Sequence, residues 1–307
     1  MRKGLSMRFT KRTMSAAGMA FALALPGTLA LADITVYATT GYLGDAVSKI
    51  APDASVITMV GPGGDPHTYQ PSTKDIQTIQ SADAVVWNGL FLEARMEDLL
   101  MSLGDKALAT AEQLPRAMLL PWENDLSDPH VWNSPVAWSA IVGSVADHLA
   151  TIDPDNANTY VANAKAYIQD IRAADAEATQ LLAAIPEENR NLITGHDAFE
   201  YFGDIYGLDV RATDFVSTEA EMSPAELAEL AQFIADNKIP VIFQDNQANP
   251  QAIVSLQEAV EALGWNVQIS SDKLFADSLG AEEDVDEYLE VFLHNARAVA
   301  SALSGGS

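Results

Sequence analysis

The sequence predicts an α/β protein of two lobes, each a parallel-type sheet flanked by helices, joined by one long rigid helix. Three observations predict it. Short strand-like runs alternate with helical runs in the first half, the same alternation returns in the second half, and one helical period runs unbroken for about thirty residues between them.

In the first lobe, residues 33–40 (DITVYATT) alternate Ile34, Val36 and Ala38 with Thr35, Tyr37 and Thr39, the two-residue period of a strand. Gly41-Tyr42-Leu43-Gly44 leads into a helix over 45–50. Residues 55–60 (SVITMV) and 84–87 (AVVW) are further strands, and 72–81 (STKDIQTIQS) is a helix with Ser72 as its N-cap.

The joining helix starts at Asp153-Pro154, an N-cap acid followed by proline at the first helical position. Tyr160, Ala164, Tyr167, Ile168, Ile171, Ala174, Ala178, Leu181, Leu182 and Ile185 then recur at spacings of three or four, and Pro186 stops the run. Thirty residues at 1.5 Å each make a rod of roughly 45 Å, long enough to brace two lobes. A coiled-coil arm would need regular flanking charge pairs, which Lys165, Asp170, Arg172, Asp175 and Glu177 do not supply.

In the second lobe, 191–194 (NLIT), 209–212 (DVRA), 241–244 (VIFQ) and 267–270 (VQIS) are strands. Ser223 and Glu226 form a capping box opening a helix to about Asn237, Asn249-Pro250 starts another that ends near Gly264, and 284–303 is the last helix.

Residues 1–32 carry Arg2, Lys3, Arg8, Lys11 and Arg12 and no acid, then an apolar run over 16–25, Pro26-Gly27, and Ala30-Leu31-Ala32. That is the pattern of a secretory signal, and the apolar run is too short to span a bilayer. The expected organisation is a signal peptide over 1–32, an N-terminal lobe over 33–150, a linking helix over 151–186 and a C-terminal lobe over 187–307.

The 307 residues are 48% hydrophobic and 20% charged, a globular composition. Lys and Arg number 17 against 43 Asp and Glu, a net charge of −26, so the surface repels phosphate backbones and attracts cations. Nucleic acid is thereby excluded as a partner. There is no cysteine, which excludes disulfides, thiolate metal sites, iron–sulfur clusters and cysteine nucleophiles, and leaves no thiol for a lipid anchor.

Of five histidines, His148 and His294 sit inside helical patterns and read as surface or core groups. The other three sit at element ends: His67 in GPGGDPHTY, His130 in DPHVW and His196 in TGHDAF. Loops beyond strand ends line the binding crevice of open α/β sheets, so three imidazoles there can converge on a metal. Asp-Pro-His occurs twice, and proline presents the following side chain on a rigid turn. Asp65, Asp128 and Asp197 stand close by, either orienting the imidazoles or acting as helix caps, the second being the expected role of Asp128. GPGG lacks the ending of a phosphate loop and serves a tight turn before His67. The charged runs at 284–290 and 219–221 read as solvated faces. For a fourth ligand, spacing leaves Asp245, after the strand at 241–244, level with Asp277 in LFADSLG.

The segments YATTGYLGDAV, GPGGDPHTYQPS, NGLFLEARMEDLL, DPHVW, TGHDAFEYFGDIYGL, STEAEMSP, IPVIFQDNQANP and LFADSLG occur in order from about residue 36 to 280. Together they resemble the zinc/manganese-type solute-binding proteins of ABC importers, the TroA-like family. The resemblance implies two α/β lobes joined by a rigid helix with a metal between them. It puts the metal ligands on His67, His130, His196 and Asp277, choosing Asp277 over Asp245. It implies Zn²⁺ or Mn²⁺ as the transported ligand, an ABC permease in the inner membrane as partner, a periplasmic location and a monomer without enzymatic activity. The long His-rich loop of many zinc members is missing between His67 and His130, whereas some manganese and iron members carry Glu where this chain has His196. Three imidazoles and a carboxylate suit zinc, and metal affinity is expected to fall toward and below about pH 6.5 as the imidazoles protonate.

Two other functions fit parts of the sequence. A zinc hydrolase would use the same residues with an open coordination position, but there is no H-E-x-x-H and no Glu beside the motif histidines to act as base. A binding protein for an organic nutrient or metal chelate would need aromatics in the cleft, for which Trp87, Trp122, Trp132 and Trp138 are the candidates.

Overall fold

The computed structural model describes Met1 and residues 34–122, 125–218 and 222–305. The expected signal segment and residues 219–221 lie outside the described residues. No helix among the described residues is long and apolar enough to cross a membrane.

The first half runs β1 (Thr35–Ala38), α1 (Gly41–Ile50), β2 (Ser55–Thr58), α2 (Thr73–Ser81), β3 (Ala84–Trp87), α3 (Glu97–Met101) and β4 (Ala107–Ala109). All four strands are parallel, in the order β2-β1-β3-β4. Strand alternation divides their side chains between two cores. Val36, Ala38, Ala84 and Val86 enter the large core on one face, while Tyr37, Val85 and Trp87 pack with Ile79 of α2 on the other. Ser72 caps α2 in a full capping box, its hydroxyl accepting from the Asp75 N–H and the Asp75 carboxylate accepting from its own.

Two helices follow, α4 (Pro135–Ile152) and α5 (Ala157–Leu182). The sequence reading passed over α4, although Ser134 caps it with Pro135 at its first position and its buried residues recur with a helical period. Because α4 runs to Ile152, Asp153 does not cap α5 from its backbone. Its N–H closes α4 on Leu149 O (2.8 Å), and α5 begins three residues later than expected, at Ala157. The Asp153 carboxylate still steadies that start by accepting from Asn156 Nδ2 (2.8 Å) and Tyr160 Oη (2.6 Å).

Helix α5 has 26 residues, about 39 Å of rise. Its buried stripe is Tyr160, Ala164, Tyr167, Ile171, Ala174, Ala178 and Leu182, as the periodicity requires. Tyr167 donates its hydroxyl to Asp45 of α1 (2.7 Å), and Tyr206, from the second half, donates to Asp175 of α5 (2.7 Å). Helix α5 thus donates a tyrosine bond to the first half and accepts one from the second.

The second half runs β5 (Asn191–Thr194), α6 (Glu200–Tyr206), β6 (Asp209–Ala212), α7 (Pro224–Asn237), β7 (Val241–Ile242), α8 (Pro250–Ala262), β8 (Gln268–Ile269) and α9 (Tyr288–Leu303). Strands β5 and β6 pair in parallel, as do β7 and β8. The Phe243 N–H donates to Ile193 O (2.8 Å), stitching the pairs together. The expected capping box of Ser223 and Glu226 opens α7. The last helix starts at Tyr288 rather than 284, after the acidic stretch. The fold is two parallel-sheet halves flanked by helices, with α5 packed against α4, α1 and α9.

Candidate metal centre

His67, His130, His196 and Asp277 converge. One nitrogen or oxygen from each lies within 4.8 Å of all the others. The loop after β2 delivers His67, where Gly63 takes a φ of +69° and the Gly64 N–H bonds Gly61 O (3.0 Å), the tight turn that GPGG permits. The loop after β5 delivers His196. A Cβ on Gly195 would lie 2.6 Å from both Asp245 Oδ2 and Ala248 Cβ, so only glycine lets that loop lie against the Asp245 carboxylate.

Both Asp-Pro-His motifs fold the same way. Asp65 Oδ1 accepts the His67 N–H (2.8 Å) and Asp128 Oδ1 accepts the His130 N–H (2.9 Å), an Asx turn with proline in the middle. Asp128 is therefore not a helix cap. The same oxygen also accepts a hydrogen bond from His130 Nδ1–H (2.7 Å), which leaves the Nε2 lone pair pointing at the centre. Asp65 spends its second oxygen on Thr68 (2.7 Å) and Thr218 (2.7 Å). Asp197 does not orient His196: its Oδ1 and His196 Nδ1 are each buried without a hydrogen-bond partner. Burial, then the charge of Glu200, raises the Asp197 carboxyl to about 7.

His130 Nε2 lies 3.3 Å from His67 Nε2 and 3.2 Å from His196 Nε2. Asp277 Oδ2 lies 3.2 Å from His196 Nε2 and 3.5 Å from His67 Nε2, and Asp277 Oδ1 is 3.5 Å from His130 Nε2. A tetrahedron with bonds of 2.0–2.1 Å to its centre has edges of about 3.3 Å. The cluster is enclosed, with His67 4% exposed and the other three 0%. No group outside the cluster hydrogen-bonds either Asp277 oxygen. A buried carboxylate whose neighbours are three imidazole nitrogens is the electrostatic setting for a cation.

Charge inside the cluster is divided unevenly. Burial pushes the His130 ring down, so it stays neutral in spite of Asp128. Burial also opposes protonation of His196, but the Asp277 carboxylate beside it outweighs this and raises the ring to about 9. Burial works against the Asp277 charge too, and the imidazoles of His196 and His130 outweigh that, holding the carboxyl well below the usual range.

A family model described as ZnuA, zinc-uptake complex component A, periplasmic, matches residues 36–302. This chain belongs to the ZnuA family. Its relatives include the manganese-binding lipoprotein MntA of Bacillus subtilis, 33% identical over 88% of this chain and 90% of the relative. The zinc-binding protein TroA of Treponema pallidum is 35% identical, with 88% of each chain covered. The solved structure of that periplasmic zinc-binding protein superposes with a TM-score of 0.86 at 34% identity, covering 89% of this chain and 99% of the other.

In this ZnuA-family chain the remaining sequence candidates are not among the four converging side chains. His148 Nε2 faces Lys106 O (3.3 Å) and His294 Nε2 faces Lys273 O (2.9 Å). Trp87, Trp132 and Trp138 are buried in the cores rather than lining an open cleft. Trp132 does have a structural part: its Nε1 donates to Ala276 O (2.9 Å), which Tyr42 Oη also bonds (3.0 Å), fixing the backbone beside Asp277. Asp245 gives one oxygen to the His196 N–H (2.7 Å) and the other to the N–H groups of Gln247 (2.9 Å) and Ala248 (2.8 Å).

The sequence reading missed Glu93. This carboxylate, 2% exposed, accepts from Thr39 Oγ1 (2.5 Å) and the N–H groups of Asn88 (2.8 Å) and Gly89 (3.0 Å). Asn88 Nδ2 in turn donates to Pro129 O (3.0 Å), the residue before His130. The available signal was one acid inside the apolar run GLFLEA, where burial demands partners.

Proposed function

We propose that this chain is the extracytoplasmic receptor of an ABC importer, capturing a divalent ion with His67, His130, His196 and Asp277 and handing it to a membrane permease. One observation carries the reading: an enclosed set of three imidazole nitrogens and a carboxylate, with neighbouring atoms 3.2–3.5 Å apart. The cargo is Zn²⁺ or Mn²⁺. Nitrogen-rich ligands and short edges favour zinc, and the Irving–Williams order makes zinc the tighter ion in vitro. The expected export signal and the acidic composition support a periplasmic site of action, where the excess of Asp and Glu draws cations in.

A receptor rather than an enzyme fits the enclosure. A hydrolytic metal needs an open position for water, and burial of all four side chains works against one. The four side chains come from one chain, so a monomer suffices. Titrating metal-free protein with Zn²⁺ and Mn²⁺, with metal content counted by mass spectrometry, tests the reading. One ion per chain, lost in His196→Ala, is expected; metal bound equally well by that variant would refute the assignment.

A further inference from the structure

Gln247 touches two of the four loops that build the centre and reaches a third through Asp245. Its backbone N–H donates to Asp245 Oδ1 (2.9 Å), and Asp245 Oδ2 holds the His196 N–H (2.7 Å). Its side-chain Nε2 donates to Gly64 O (3.0 Å), three residues before His67, and to Ser278 Oγ (3.0 Å), the residue after Asp277. An amide nitrogen carries two hydrogens, and here one goes to each half of the molecule. Ser278 Oγ also accepts the Gly63 N–H (3.0 Å), and Thr218 Oγ1 donates to Asp65 Oδ2 (2.7 Å).

The loop bearing His67 is exposed at Gly61, Pro62 and Gly63, yet His67 itself is only 4% exposed. An ion enters or leaves an enclosed centre only when a covering segment moves. Lifting this loop from the second half breaks the bonds to Ser278, Gln247 and Thr218 together. Resting on the capture reading above, we propose that Gln247 is a positioning residue that fastens the His67 loop over the centre and sets the rate at which the captured ion escapes.

The test is release of Zn²⁺ from loaded full-length protein into excess chelator by stopped flow, beside the rate of Zn²⁺ uptake by metal-free protein. Gln247→Ala and Gln247→Met, the second keeping length without the donors, are expected to speed release roughly tenfold. Uptake should not slow, since the same loop must lift for the ion to enter. Thr218→Val, which cuts the neighbouring tie on Asp65, should also speed release, so the proposal stays testable if a Gln247 variant does not fold. Release unchanged in the variants, or uptake and release altered equally alongside a lowered Tm, overturns the strap and leaves metal capture by the wild type standing. A wild type that takes up no Zn²⁺ overturns the capture reading itself, and the strap with it.

Discussion

Asp128 and His130 are joined twice through one oxygen: Asp128 Oδ1 accepts both the His130 backbone N–H at 2.9 Å and its Nδ1–H at 2.7 Å. The bonds set the backbone turn, the ring plane and the tautomer at once. Asp128→Ala should therefore weaken metal binding by about 10–100-fold, the usual cost of losing such a partner to a ligating imidazole. Competition against a chelator of known affinity measures it, and an unchanged constant would show that the ring holds its pose without the carboxylate.

Ligand type should set metal preference. His196→Glu replaces a nitrogen with a harder oxygen while Gly195 and Asp245 still anchor the backbone. The ratio of Zn²⁺ to Mn²⁺ affinity is expected to fall by at least tenfold, or about 1.4 kcal/mol. Parallel titrations with the two ions check this. A constant ratio would mean that geometry rather than donor chemistry selects the ion.

Metal binding should release a proton at neutral pH. Burial opposes the charge on His196, but Asp277 wins and holds the ring protonated up to about pH 9. A metal must displace that proton, so affinity should climb about tenfold per pH unit below 9 and flatten above it. The fall on acidification thus begins well above the 6.5 of an unperturbed imidazole. Calorimetry in buffers of different ionisation heat should count close to one proton released at pH 7.5; none released would contradict the coupling.

Asp45 should make the fold less stable as pH rises. Burial is the main cause of its carboxyl standing at about 6, against lowering by the Tyr167 hydroxyl and Lys49. Between about 3.8 and 6 the folded state keeps a proton that the unfolded state has lost, so stability declines through that window and levels off above it. Asp45→Asn, which still accepts from Tyr167, should flatten this part of the Tm–pH curve. A curve of unchanged slope in the variant would place the titration elsewhere.

The sequence by itself determined what depends on neighbours a few residues away. The strands at 84–87, 191–194 and 209–212, the caps at Ser72 and Ser223 and the buried stripe of α5 are all present where the sequence puts them. Hydrophobic period, capping chemistry and proline stiffness act over one or two turns of chain. The two Asp-Pro-His turns are legible for the same reason, although the sequence did not show that Asp128 turns back onto the His130 ring. Spacing could not decide which acid meets the imidazoles; the family resemblance pointed to Asp277, and the packing of the loops brings it there. Asp245 and Asp277 look equivalent along the chain, yet one is committed to the N–H groups of His196, Gln247 and Ala248, while the other arrives among the imidazoles with no hydrogen bond from outside the cluster. That difference lies in contacts between loops up to 210 positions apart, set by how the two halves pack rather than by any local preference of the chain.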